Sequence, residues 1–143
     1  MHVHPPGRVG DPPYRTAPDG VLVYAPDGGM AVAIAHAHRD PLGVTDFRGG
    51  TDRAKARALD TFAGYGGTWR LDGPYVVHTV KACSFPDWRG AEQRRRVSWR
   101  DGALVLSTDP VEVEGAVQVA ELVWQRIDDQ SLPPKTGNRF ASP

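Results

Sequence analysis

Apolar and polar residues alternate along most of this chain. Met30, Val32, Ile34, His36 and His38 fall on one face of an extended segment, and Ala31, Ala33, Ala35 and Ala37 fall on the other. That period-2 spacing predicts a strand over 30–39. Val21 to Ala25 is a shorter apolar run before it, and the glycines of Pro26-Asp27-Gly28-Gly29 supply the turn of a hairpin. Further strands are expected at 68–72, 75–84, 93–100, 103–108 and 117–127. Asp72-Gly73-Pro74 and Asp101-Gly102 serve as tight turns, the second being the strongest short hairpin signal in the chain.

One stretch changes period. After a Thr51-Asp52 start, Ala54, Ala58, Leu59, Phe62 and Tyr65 recur at helical spacing, with Arg53, Lys55, Arg57 and Asp60 around the other faces. This predicts one amphipathic helix over about 51–64, ended by Gly64, Gly66 or Gly67. The fold class is therefore mainly β: an antiparallel barrel of seven to eight strands with one helix, since closing the sheet satisfies its edge strands most simply. Residues 1–20 read as an N-terminal extension or loop in which only His2 to His4 fit a strand, 21–127 as the barrel domain, and 128–143 as an extended or disordered tail. Seven strands leave one to be found. It comes from Met1 to His4, from the C-terminal tail, or from a neighbouring copy that completes the barrel edge.

Composition adds mainly exclusions. The 143 residues carry 17 Lys plus Arg against 17 Asp plus Glu, so no net field points to nucleic acid or an anionic membrane. Arg94, Arg95 and Arg96 alternate between strand faces and form no single basic stripe. A lone Cys83 excludes an intramolecular disulfide framework, and no apolar run is long enough for a signal peptide or a membrane helix, so a cytoplasmic protein is expected. No phosphate loop, serine nucleophile motif or dinucleotide fingerprint occurs, and no cofactor is expected.

The candidate chemistry lies in Tyr75 to Arg100. On the first strand of this segment Val76, His78 and Val80 share a face with Ala82 beyond them. On the next, Gln93, Arg95, Val97 and Trp99 share one face while Arg94, Arg96, Ser98 and Arg100 share the other. Parity thus places His78 and Arg95 inside. A buried guanidinium needs a carboxylate, a carbonyl or a bound anion. His78 can move a proton and Arg95 can hold an enolate or carboxylate oxygen, so the two are the candidate catalytic pair. The His36-x-His38 spacing resembles the metal grip of cupin-type barrels, but the acidic ligand and second motif of that site are missing, so no metal is assigned. Both histidines are kept as ligand contacts with Tyr24, Tyr65, Trp69, Trp88, Trp99 and Trp124, and Trp88, in the Phe85-Pro86-Asp87-Trp88 loop, is the candidate lid. Glu121 reads as an edge charge.

The order His78, Pro86-x-Trp88-x-Gly90, Gln93-x-Arg95, Leu104-x-Leu106-Ser107-Thr108 and Leu122-x-Trp124-x-Arg126 resembles the microbial lipocalin-like domain family, over roughly residues 20–127. The hairpin at 20–30 and Tyr65-x-Gly67 ahead of the His78 strand fit it as well. The first twenty residues lack the Gly-x-Trp triplet with which members of that family begin. The resemblance implies a lipocalin-like barrel with a helix packed on it and a pocket for a hydrophobic small molecule. It further implies, by analogy with related small barrels, a cofactor-free cyclisation or isomerisation of a polyketide-like intermediate in specialised metabolism. A non-catalytic carrier with the same pocket is the alternative.

Overall fold

The computed structural model describes residues 2–3, 18–113 and 115–127. The parts of the expected N-terminal extension at 4–17 and of the expected tail at 128–143 lie outside the described residues. Eight strands close into an antiparallel barrel: β1 (His2–Val3), β2 (Asp19–Tyr24), β3 (Gly29–Ala35), β4 (Phe62–Asp72), β5 (Tyr75–Cys83), β6 (Glu92–Arg100), β7 (Ala103–Ser107) and β10 (Glu121–Gln125). Each strand pairs with the next in this order, and β1 pairs with both β10 and β2. The missing strand is thus the chain's own beginning, so the barrel starts before Val21 and closure needs no neighbouring copy.

The turns at one end follow from residue type. Asp101 and Gly102 both take positive φ, 51° and 79°, which lets β6 turn directly into β7 with the twist that strands require. Helix α1 (Asp52–Asp60) begins where expected: Thr51 is extended and its hydroxyl accepts from the Ala54 amide at 3.2 Å.

Two elements differ from expectation. The helix stops at Asp60 instead of 64, and Phe62 and Tyr65 belong to the eleven-residue strand β4. Their three-residue spacing suited a helix. Three glycines among residues 62–67 disfavour one, however, and ladders to β3 and β5 pair the same backbone on both sides. The long strand expected over 117–127 is split into β9 (Ala116–Gln118), which pairs with β8 (Val111–Val113) in a separate hairpin, and β10. The break is held by Thr108, whose amide donates to the Ala120 carbonyl and whose hydroxyl accepts from the Ala120 amide.

The core is a cluster of Leu22, Met30, Val32, Val76, Leu104, Leu106 and Trp124 inside the barrel, with Tyr24, Ile34, Tyr65, Trp69, Val97 and Leu122 packed on it. Between Gly66 and Gly67 the pairing of β4 with β5 shifts, so that Lys81 is an extra residue on β5. This bulge reverses the parity of the end of β5. Ala82, expected to continue the inward line of His78 and Val80, is exposed, and Cys83 instead stands opposite Tyr65.

Candidate functional site

His78 is 2% exposed, a buried imidazole in an otherwise apolar core. It sits on β5 opposite Trp69 of β4 and Gln93 of β6. Both ring nitrogens are engaged: Nε2 lies 2.6 Å from the Tyr24 hydroxyl and Nδ1 lies 2.7 Å from the Tyr65 hydroxyl. Both rings lean on the imidazole, with centroids 5.5 and 5.7 Å away. The result is a row, Tyr24–His78–Tyr65, assembled from three strands.

Burial, helped by the Arg95 charge, lowers the His78 pKa from 6.5 to about 4, so the ring is neutral at pH 7. Burial raises both phenols, opposed by Arg95, with the neighbouring Tyr65 adding to the rise at Tyr24. A neutral imidazole has one N–H and one lone pair. One tyrosine must therefore donate to the ring while the other accepts from it, and the one that accepts keeps its own proton for a further partner.

Above this row is a cavity of about 110 Å³, lined by Leu22, Val32, Ile34, Ala63, Tyr65, His78, Trp88, Arg95, Leu106, Leu122 and Trp124. Arg95 is half-buried, as parity placed it. Its guanidinium donates to the Arg94 carbonyl at 2.8 Å and to the Gln93 side-chain oxygen at 3.1 Å, and no carboxylate pairs with it among the described residues. With His78 neutral, the cavity carries one positive charge. Trp88 lies in a short helical turn at Pro86–Trp88 and stacks edge-on against Tyr65 and Phe85, with ring centroids 5.9 and 5.5 Å away.

The structure thus joins Tyr65, His78, Arg95, Trp88 and Trp124 around one cavity and sets Tyr24 directly behind it. Trp69 is core: its ring packs 5.0 Å from Tyr24 and its indole donates to the Ala25 carbonyl at 2.9 Å. Three expected contacts lie elsewhere. β3 ends at Ala35, where the His36 amide turns to the Thr61 carbonyl, so His36 and His38 stand past the strand, with His38 exposed beside α1. Among the described residues no three His, Cys, Asp or Glu side chains come together as a metal site. Trp99 is 65% exposed despite its inward parity, because β5 pairs with β6 only as far as Arg96 and the tip of the β6–β7 hairpin overhangs the rim. Glu121 is an edge charge, paired with Arg100 at 3.1 Å.

The pairing of Tyr24 and Tyr65 on one histidine was missed as a unit. Reading β4 from Phe62 would have put Tyr65 on the same face as Trp69 and so toward His78.

An eight-stranded up-and-down barrel with a small apolar cavity over a few polar side chains has the architecture of small-molecule-binding barrels. The family model of the lipocalin-like domain matches residues 2–127, and the chain belongs to that family. Such a domain fits the binding of a small hydrophobic ligand. No curated protein matches the chain. Among the described residues no helix is long and apolar enough to cross a membrane.

Proposed function

We propose that the barrel takes up a small hydrophobic molecule through one carbonyl, enolate or carboxylate oxygen, and promotes its cofactor-free isomerisation or cyclisation by holding that oxygen between the Tyr65 hydroxyl and the Arg95 guanidinium. The observation that carries this reading is the Tyr24–His78–Tyr65 row, which ends in an apolar cavity beside an arginine that no carboxylate neutralises among the described residues. Tyr24 donates to Nε2, Nδ1–H donates to the Tyr65 oxygen, and the Tyr65 proton is left for the ligand. A desolvated donor and a fixed cation aimed at one oxygen stabilise the negative charge that develops there as an enol forms or a nucleophile adds.

In this reading His78 is a positioning residue. Both its nitrogens are occupied and its conjugate acid is too strong to persist at neutral pH, so it orients the tyrosines and passes a proton only as part of the row. For ring closure, the substrate's own nucleophile adds to the polarised carbonyl carbon. The oxygen takes the Tyr65 proton, and the proton lost by the nucleophile returns to the row. A cavity of about 110 Å³ holds about one ring, so a longer polyketide-like chain has to run out past Trp88.

The small cavity and the weakly basic histidine favour the second reading, a carrier that binds without turnover. Native mass spectrometry of the purified protein, followed by release and identification of the bound compound, tests the binding claim: a small carbonyl or carboxylate compound is expected, with retention lowered in Arg95→Met. The compound is then incubated with wild-type and Tyr65→Phe protein. Turnover by the wild type that drops about 100-fold in Tyr65→Phe, with binding kept, supports catalysis. Binding without any conversion leaves the carrier.

A further inference from the structure

Two indoles pack inside the barrel, Trp69 partly buried and Trp124 fully, and they are treated differently. The Trp69 N–H has its acceptor, the Ala25 carbonyl at 2.9 Å. Trp124 is 1% exposed, lines the cavity, and its Nε1 is buried with no hydrogen-bond partner among the described residues. A buried donor without an acceptor costs free energy that an apolar ring of the same shape would not. The other polar side chains of the cavity are partnered: His78 at both nitrogens, Tyr65 with His78, and Arg95 with Gln93 and the Arg94 carbonyl.

The position of this donor matters as much as its lack of a partner. Trp124 is on β10 and Tyr65 on β4, four strands apart in either direction around the eight-stranded ring. They stand on opposite walls, with Arg95 on β6 midway between them. One ligand oxygen cannot serve both walls of a barrel filled by a ring.

We propose that Trp124 is a specificity-determining residue whose N–H takes a second acceptor of the ligand, so that the barrel selects single-ring molecules carrying two oxygens directed to opposite walls: an anionic or carbonyl oxygen for Tyr65 and Arg95, and a neutral acceptor such as a ketone or ether for Trp124. This rests on the ligand-binding reading above and adds the second polar contact. A mono-oxygenated ring leaves the indole unsatisfied, and a ring with a donor-only group such as an ammonium at the far side is excluded, since two donors then face each other.

The test uses matched probes that differ only at the far group: 3- and 4-acetylbenzoate against 3- and 4-isopropylbenzoate, titrated calorimetrically into the full chain. Wild type is expected to prefer the acetyl member of at least one pair by about tenfold, the effect of one buried hydrogen bond on a binding equilibrium. Trp124→Phe is expected to reverse the preference, because the ketone then loses water without gaining a donor. Should Trp124→Phe fail to fold, replacing the indole N–H by sulfur with a benzothienylalanine at position 124 makes the same comparison at constant shape. Equal binding of both members to wild type, with affinity still lost in Arg95→Met, overturns the role of Trp124 and leaves the ligand-binding reading intact. Absence of binding by all four probes overturns both.

Discussion

The two ends of the barrel are made from the same strands and differ in what joins them. At one end the connections are the tight turns at 26–28, 73–74 and 101–102, with Trp69 hydrogen-bonded across to Ala25 and stacked on Tyr24. At the other they are the long segments 36–61, 84–91 and 108–120, which carry α1, the Trp88 turn and the β8–β9 hairpin. Inside the closed end, the rings of Tyr24 and Trp69 have their polar atoms satisfied within the fold. The open end has Arg95 and Trp88 around a cavity. Rigid turns fix the floor, and the longer connections, which tolerate change, surround the mouth where a ligand enters. The Tyr24–His78–Tyr65 row joins the two, with Tyr24 on the closed side and Tyr65 in the cavity.

The largest effect is expected at the joint itself. A Cβ at Gly67 would run into the Thr79 carbonyl, whereas one at Gly66 meets only the Met30 carbonyl at 3.4 Å. Gly67→Ala therefore disrupts the bulge where β5 passes close to β4 and costs about 3 kcal/mol or more, against about 1 kcal/mol for Gly66→Ala, both read as shifts of the urea midpoint. Equal costs would remove the bulge from the account. Next comes His78→Leu, which leaves two buried hydroxyls without their partner and costs about 2–4 kcal/mol.

The same residue sets a pH dependence. Its folded pKa of about 4 lies below the unfolded 6.5, so the unfolded state binds the proton first as pH falls. Stability is full above pH 6.5, declines between 6.5 and 4, and levels off below, a loss of about 3 kcal/mol from this group. The difference between wild-type and His78→Leu stability should shrink over that window. A constant difference would mean that the ring is already charged or exposed.

The smaller effects separate the two ends. Trp69→Phe loses the indole bond at the closed end and costs about 1–2 kcal/mol with ligand affinity unchanged. Trp88→Ala is expected to change stability by about 1 kcal/mol or less and, if Trp88 acts as the proposed lid, to speed ligand dissociation by about tenfold. If Trp69→Phe alters ligand release as much as Trp88→Ala does, the division into floor and mouth fails.

Much of this was legible from the chain alone. Asp101-Gly102 and Pro26-Asp27-Gly28 encode their turns locally, and strict alternation put His78 and Arg95 inside before any pairing was known. What could not be read depends on partners. Phe62 and Tyr65 fit a helical period, and only the ladders of β3 and β5 make them a strand. Ala82 follows alternation in sequence, and only the bulge turns it outward. Trp99 has inward parity, and only the end of the β5–β6 pairing at Arg96 leaves it past the rim. The tyrosines meet His78 because the register brings β2, β4 and β5 side chains to one point, and register between distant strands leaves no local mark.

The central claim is that His78 is a neutral ring protonated at Nδ1, which leaves the Tyr65 proton for the ligand. The most direct measurement is nitrogen NMR of histidine-labelled protein between pH 5 and 8, with His78 assigned by its absence in His78→Leu. The account predicts one unchanging neutral tautomer, Nδ1 protonated and Nε2 in the range of an acceptor, with titration beginning only near pH 4. An imidazolium at pH 6 would contradict it because the ring would then be charged and would donate to both tyrosines, and a proton on Nε2 would contradict it because Tyr65 would then donate to Nδ1 and have no proton to offer.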